Sequence, residues 1–148
     1  MKQYSFYNVE LNISGEIVDG YSASNSIITA GRFSSQHARI IGARGEMVVA
    51  TSADRSGYIG FSLLQTSDSN AMLRRWTKDN QAVGLTTTAF QPLQATVSDL
   101  TGRDKVIAED GMIPKQPSLV RGIGINDLKW LIEFGSVEFF EGDQPEIS

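Results

Sequence analysis

His37 is the sole imidazole in a chain of 148 residues that has no cysteine, and these two facts remove most reactive chemistry at once. One histidine cannot build a multi-histidine metal site. Without thiols there is no disulfide, thiolate metal ligand or cysteine nucleophile, which fits synthesis in a reducing compartment. As a general base, His37 would need a presented nucleophile, yet no Gly-x-Ser-x-Gly pattern occurs to lift a serine onto a sharp turn. Glu109 and Asp110 are adjacent, so on a strand they point to opposite faces, and a turn at Asp110-Gly111 accounts for them more simply. The run Asp99-Leu100-Thr101-Gly102-Arg103-Asp104 spaces its carboxylates like a calcium loop but lacks the third-position ligand and the closing glutamate. Gly122-Ile123-Gly124-Ile125-Asn126-Asp127 begins like a dinucleotide fingerprint, but it lacks the third glycine. It also leads into a strand, where phosphate binding needs a helix N-terminus. The residues therefore predict no enzyme, no cofactor and no metal, leaving a structural or binding domain.

Charge narrows the partners. Thirteen Lys+Arg against 17 Asp+Glu give a net charge of −4, and a pI near 4.9 argues against a nucleic-acid binder that relies on a broad basic field. The 13 aromatic residues fall mostly at inward strand positions and form no stacking platform interleaved with basic groups. The imbalance is uneven. From Asn126 to Ser148 there are six acids against Lys129 alone, or −5, so the other 125 residues sum to +1. Such an acidic end suits either a solvated tail at 141–148 or docking on basic patches of neighbouring copies. No apolar run approaches the roughly 20 residues that span a bilayer, and the start lacks a signal-peptide apolar core. The expectation is a soluble protein without membrane insertion.

The elements that carry these residues are mostly short strands. Sixteen Ser, nine Thr and scattered Gly suit strands joined by turns. Asn8 to Ser14 alternates polar and apolar residues strictly, the period of a half-buried strand, and Ile17-Val18 begins a return strand. Ile27 to Thr29 and His37 to Ile41 read as further strands, and Met47 to Ala50 as one strand flanked by loops or as part of a long extended loop. Tyr58 to Leu64 is rich in aromatic and apolar residues with Ile59, Phe61 and Leu63 on one side. A helix follows, with Ser67 as its cap, Asp68 in its first turn, Met72, Leu73 and Trp76 as its apolar stripe, and Lys78 near its end. Leu85 to Phe90, Leu93 to Ser98 and Lys105 to Ala108 return to strands, and Gly111 to Gly124 is a loop. In the last strand, Leu128, Trp130, Ile132 and Phe134 form the apolar side, continued by Val137 and Phe139. The sum is a mainly β, single-domain chain, residues 1–148: an antiparallel β-sandwich or barrel with one flanking helix.

The order of these pieces carries a resemblance. Tyr4-Ser5-Phe6 is followed by Gly42-Ala43-Arg44-Gly45-Glu46, and then Ser56-Gly57 leads through Tyr58–Leu64 into Gln65-Thr66-Ser67-Asp68-Ser69-Asn70-Ala71-Met72-Leu73. Asp110-Gly111-Met112-Ile113-Pro114 and the closing strand from Asp127 to Phe140 with its Gly142 turn complete the series. The whole resembles the tail tube proteins of contractile-tailed (myophage-type) bacteriophages. The resemblance implies six copies in a ring and rings stacked head-to-tail into the inner tail tube. It implies a tail sheath protein around that tube, with baseplate and tail terminator proteins at its ends. It further implies transient passage of DNA during ejection and no catalytic residues. The subunit would be made in the host cytoplasm and reside in the virion tail.

Within that expectation the uncharged polar strand faces, Ser62, Thr86, Thr88, Gln94, Thr96 and Ser98, are candidates for a channel wall along which DNA slides without sticking. The mixed charges of an extended loop at 42–57, Arg44, Glu46, Asp54 and Arg55, suit contacts between rings, as do Asp127, Lys129 and Glu133 of the closing strand. Two other classes fit the same composition. A monomeric β-sandwich binding module, such as a carbohydrate binder, would show an exposed aromatic patch. A small hydrolase would need a pocket around His37. A tail terminator or a secretion-system tube protein of the same fold is the nearer alternative.

Overall fold

A computed structural model describes residues 6, 9–23, 27–35, 37–81, 91–99, 104–119, 122–123 and 126–141. Its elements are β1 (Val9–Ile13), β2 (Glu16–Ile17), β3 (Ile28–Arg32), β4 (His37–Ile41), β5 (Met47–Thr51), β6 (Gly57–Leu64), α1 (Ser69–Gln81), β7 (Leu93–Asp99), β8 (Asp104–Met112) and β9 (Asp127–Glu141). Seven strands form one antiparallel sheet in the order β2-β1-β7-β8-β9-β6-β3, and β4 and β5 form a separate two-stranded ribbon.

The alternation read from the sequence is what buries the sheet. Along β6 every second residue from Gly57 to Leu63 is buried. On β9 Leu128, Trp130, Ile132 and Phe134 are each 2% exposed or less. These side chains share one core with Leu11 and Ile13 of β1, Leu93 and Ala95 of β7 and Leu73 of α1, so the sheet curls around a single apolar interior. Residues 18–22 close the curl. Val18 N–H donates to the Leu11 carbonyl of β1 at 2.9 Å, while Ser22 N–H donates to Ser62 O at 3.1 Å and Gly20 O accepts from Leu64 N–H at 2.8 Å on β6. Backbone groups that an open edge would leave unpaired are thereby satisfied. The expected antiparallel sandwich or barrel with one flanking helix is present.

The helix is seated by specific polar contacts. Ser67 Oγ accepts from Ser69 N–H at 3.2 Å and its hydroxyl donates to Asp19 O, so the cap also ties α1 to the 18–22 segment. Asp68 lies between this cap and the helix Ser69–Gln81, whose first turn contains no acid. Asn70 is buried and bridges two elements: its amide nitrogen donates to Leu64 O at 2.9 Å, and its oxygen accepts from Trp130 Nε1 at 2.8 Å. Met72 and Trp76 pack on the core from outside.

One expected turn is a strand. β8 runs through Asp110-Gly111 to Met112, with Asp110 in the left-handed region at φ 58°. The register against β7 shifts between Leu93 and Ala95, the mark of a bulge. Gly111 is required there by close approach, since a Cβ would stand 2.5 Å from the Phe134 ring and 2.9 Å from Leu93 O. Pairing of β8 on both sides overrides the local turn preference of Asp-Gly. On β9 the buried positions change parity between Phe134 and Val137, so Val137 is inward and Glu138 faces the other way, as the sequence pattern indicates, whereas Phe139, expected to continue the apolar side, is 51% exposed.

Candidate functional site

The feature with no role in the core is the β4–β5 ribbon. Its register pairs His37 with Thr51, Ala38 with Ala50, Arg39 with Val49, Ile40 with Val48 and Ile41 with Met47, and all ten strand residues are exposed. Strands of five residues extend for about 17 Å, so the ribbon is an arm reaching away from the barrel. Side chains alternate across it. One face carries Ala38, Ala50, Ile40 and Val48 and is wholly apolar; the other mixes Ile41, Met47 and Val49 with His37, Arg39 and Thr51. Ile40, Ile41, Met47, Val48 and Val49 are each more than half exposed. An isolated two-stranded ribbon is marginal in water, and an apolar patch of this kind marks a contact surface.

The arm sorts the candidates proposed for the 42–57 loop. Arg44 and Glu46 sit in its tip, a tight turn closed by Gly42 N–H to Glu46 O at 2.7 Å with Gly45 at φ 84°. Asp54 and Arg55 sit at its root. The extended segment begins earlier than the loop read from the sequence, because β4 is its other half. At the root, Asp54 accepts from Ser56 N–H and from the Ser34 hydroxyl, each at 2.9 Å. Hydrogen bonds from the Ser56 side chain and backbone, and then from Ser34, hold its carboxyl below the usual range. Phe33 N–H donates to Ser56 O at 3.1 Å, and the Phe33 and Tyr58 rings stand 5.6 Å apart. Two side chains that sequence reasoning did not assign to this region complete it: Arg32, and Glu138 from β9. Both ion pairs found among the described residues, Arg32 to Glu138 at 3.3 Å and Arg55 to Glu138, end on that one carboxylate. No local pattern signals a partner some hundred residues away.

The channel-wall candidates among the described residues, Ser62, Gln94, Thr96 and Ser98, fall on the outward face of the sheet. Gln94, Thr96 and Ser98 alternate with buried Leu93 and Ala95 on β7. Thr96 lies between Asn12 of β1 and Ile107 of β8, and Ser98 between Glu10 and Lys105. Thr86 and Thr88 lie outside the described residues, as do 142–148 of the acidic tail. Ser62 stands opposite Lys129, Tyr58 opposite Glu133, and Asp127 opposite Leu64. Ser62 thus shares its stretch of surface with the contact candidates of β9 and is separated by β9 and β8 from the β7 group.

The remaining features are modest. A cleft of about 480 Å³ between α1 and residues 112–116 is lined by Trp76, Thr77, Asn80, Met112, Ile113, Pro114, Lys115 and Gln116. His37 lies on the arm instead, exposed, with Nδ1 3.2 Å from Thr51 Oγ1. Among the described residues no group of three His, Cys, Asp or Glu side chains is placed to hold a metal ion, and no helix is long and apolar enough to cross a membrane.

The family described as Bacteriophage PhiTE tail tube protein matches residues 1–142. No curated protein matches the chain. Among solved structures, the chain is similar to one in the sheath/tube terminator of the extracellular contractile injection system PVC in its extended state. The TM-score is 0.65 at 9% identity, covering 95% of this chain and 98% of that one. A chain of the PVC sheath-tube complex in the extended state gives 0.62 at 9% identity over 94% and 92%, and the tube-terminating cap of the anti-feeding prophage gives 0.56 at 11% over 94% and 93%. At these identities the likeness is one of fold.

Proposed function

Because this chain belongs to the bacteriophage PhiTE tail tube protein family, we propose that it is the repeating subunit of a virion's inner tail tube, assembled as stacked hexameric rings through which DNA passes during ejection. The family match over nearly the whole length carries this reading, and the exposed apolar arm gives it a physical basis. A subunit that displays Ile40, Val48, Ala38 and Ala50 on a marginal ribbon gains most by burying them on another copy, each large aliphatic contributing about 1.5–3 kcal/mol when fully covered. Head-to-tail contacts of this kind are heterologous and propagate an open stack.

In this reading the tail sheath surrounds the tube, with baseplate and terminator proteins at its two ends. The subunit is made in the host cytoplasm, binds no cofactor and catalyses nothing. Electron microscopy of the purified, concentrated protein tests it. Rings or tubes of uniform diameter are expected, and a monodisperse monomer would overturn the proposal. A terminator role is the second reading, supported by the fold shared with two terminator or cap proteins. It predicts single closed rings at every concentration, whereas a tube subunit stacks into filaments as concentration rises.

A further inference from the structure

Both feet of the arm land on the same two residues of β9. On the incoming side Arg32, the last residue of β3, donates from Nε and Nη2 to the Val137 carbonyl at 3.1 and 2.9 Å, and from Nη2 to Glu138 Oε2 at 3.3 Å. Its guanidinium also lies over the Phe139 ring, 5.8 Å from the centroid. On the outgoing side the Arg55 carbonyl accepts from Val137 N–H at 2.9 Å, and Arg55 Nη1 pairs with Glu138 Oε1. Each oxygen of one carboxylate therefore holds one foot. At their base the feet lie in close contact with β3 and β9: a Cβ on Gly57 would stand 2.2 Å from Gly31 O and 2.8 Å from a Val137 methyl.

Beyond the root, no hydrogen bond or ion pair among the described residues ties β4 or β5 to the barrel, and every residue of both strands is exposed. Its direction is then decided by residues 32–34 and 54–57 and by what they grip. An exposed ion pair contributes little to overall stability. This pair is better suited to fixing geometry, because the Arg32 side chain is only 15% exposed and that of Glu138 31%, and the planar guanidinium fork constrains orientation as well as distance.

We propose that Glu138 is the positioning residue that sets the angle at which the β4–β5 arm leaves the barrel, by holding Arg32 of one foot and Arg55 of the other. Its consequence for assembly rests on the tube reading: a preset arm meets the next copy without first being ordered, which lowers the cost of association.

The absence of cysteine makes the test direct. Spin labels placed by Ala43→Cys at the arm tip and Ala71→Cys on α1, both exposed, report the tip-to-barrel distance distribution by pulsed electron resonance. The full-length chain is measured with labelled protein diluted into unlabelled protein. A single narrow distribution is expected for the parent and for the conservative Arg55→Lys. Glu138→Gln and Arg55→Ala should broaden it about two-fold or more, as a tether passes from stiff to flexible, with unchanged far-ultraviolet circular dichroism. A broad parent distribution, or variants as narrow as the parent, would overturn the proposal. Arg55→Ala keeps the test open should Glu138→Gln fold poorly, since Arg55 is largely exposed. Microscopy of the same samples separates the two readings: a parent that never forms rings counts against the tube, while the distances still decide the clamp.

Discussion

Asn70 and Trp130 form the one side-chain pair among the described residues that is buried and polar on both sides, and it explains why the helix stays where it is. The Trp130 indole is 1% exposed and Asn70 5%, so neither has water as an alternative partner, and Asn70 also holds Leu64 O at the end of β6. Trp130→Phe keeps an aromatic ring in the core but leaves the Asn70 oxygen without its donor. The expected cost is about 1–3 kcal/mol for the unsatisfied group, seen as a fall of several degrees in the thermal midpoint, and a midpoint unchanged within error would mean the bond contributes nothing. The pair also marks a limit of sequence reading. Trp130 is legible as an inward residue of an alternating strand and Ser67 as a cap, but a contact spanning 60 residues leaves no trace in either neighbourhood. The same holds for Glu138, whose two arginine partners lie 83 and 106 residues away. Its acidity is visible in the sequence; its position at the root of the arm is a product of the fold.

At the scale of elements, legibility follows burial. Strands with one face on the core, Val9–Ile13, Gly57–Leu64 and the first half of Asp127–Glu141, show the period of two because only every second position needs to be apolar. The β4–β5 arm has no inside, so Ile40-Ile41 and Met47-Val48-Val49 run without alternation and read as two unrelated strands around a charged loop. Their pairing joins them into one device. The Asp110-Gly111 step fails in the opposite direction: its local chemistry says turn, and pairing with the neighbouring strands β7 and β9 keeps it within a strand as a bulge. The arm yields a prediction proper to an element. Its wholly apolar face should be the one that seats on another copy, so the pair Ile40→Asp and Val48→Asp should abolish rings and tubes while leaving the barrel's circular dichroism and melting intact, because these side chains touch nothing in the subunit core. Arg39→Asp on the opposite face should weaken assembly far less. Sedimentation and microscopy of these variants beside the parent decide it, and normal tubes from the Ile40/Val48 variant would assign the contact to the other face.

The charge of the whole molecule sets the last test. In the proposed tube, a subunit of net −4 repeated along the channel would present no general basic field to DNA, and a wall that must release its cargo would benefit from that. The outward face of β7 fits such a wall: Gln94, Thr96 and Ser98 are neutral and hydrogen-bonding, Thr96 is flanked by Asn12 and Ile107, and the two charges bordering Ser98, Glu10 and Lys105, are opposite in sign. Thr96→Arg adds one cation at the centre of this face. The long side chain points away from the core, so the subunit should fold and assemble as before. If six copies per ring present that face to the lumen, successive rings add ladders of cations along the DNA path, and phosphate binding of this origin strengthens steeply as salt is lowered. Particles carrying Thr96→Arg should therefore eject DNA more slowly than the parent at low ionic strength and approach it at high ionic strength, while Thr96→Gln ejects normally. Equal ejection at every salt concentration from tubes shown to contain the variant would place β7 on the outside of the ring and direct the search for the lumen to the Ser62 side of the sheet.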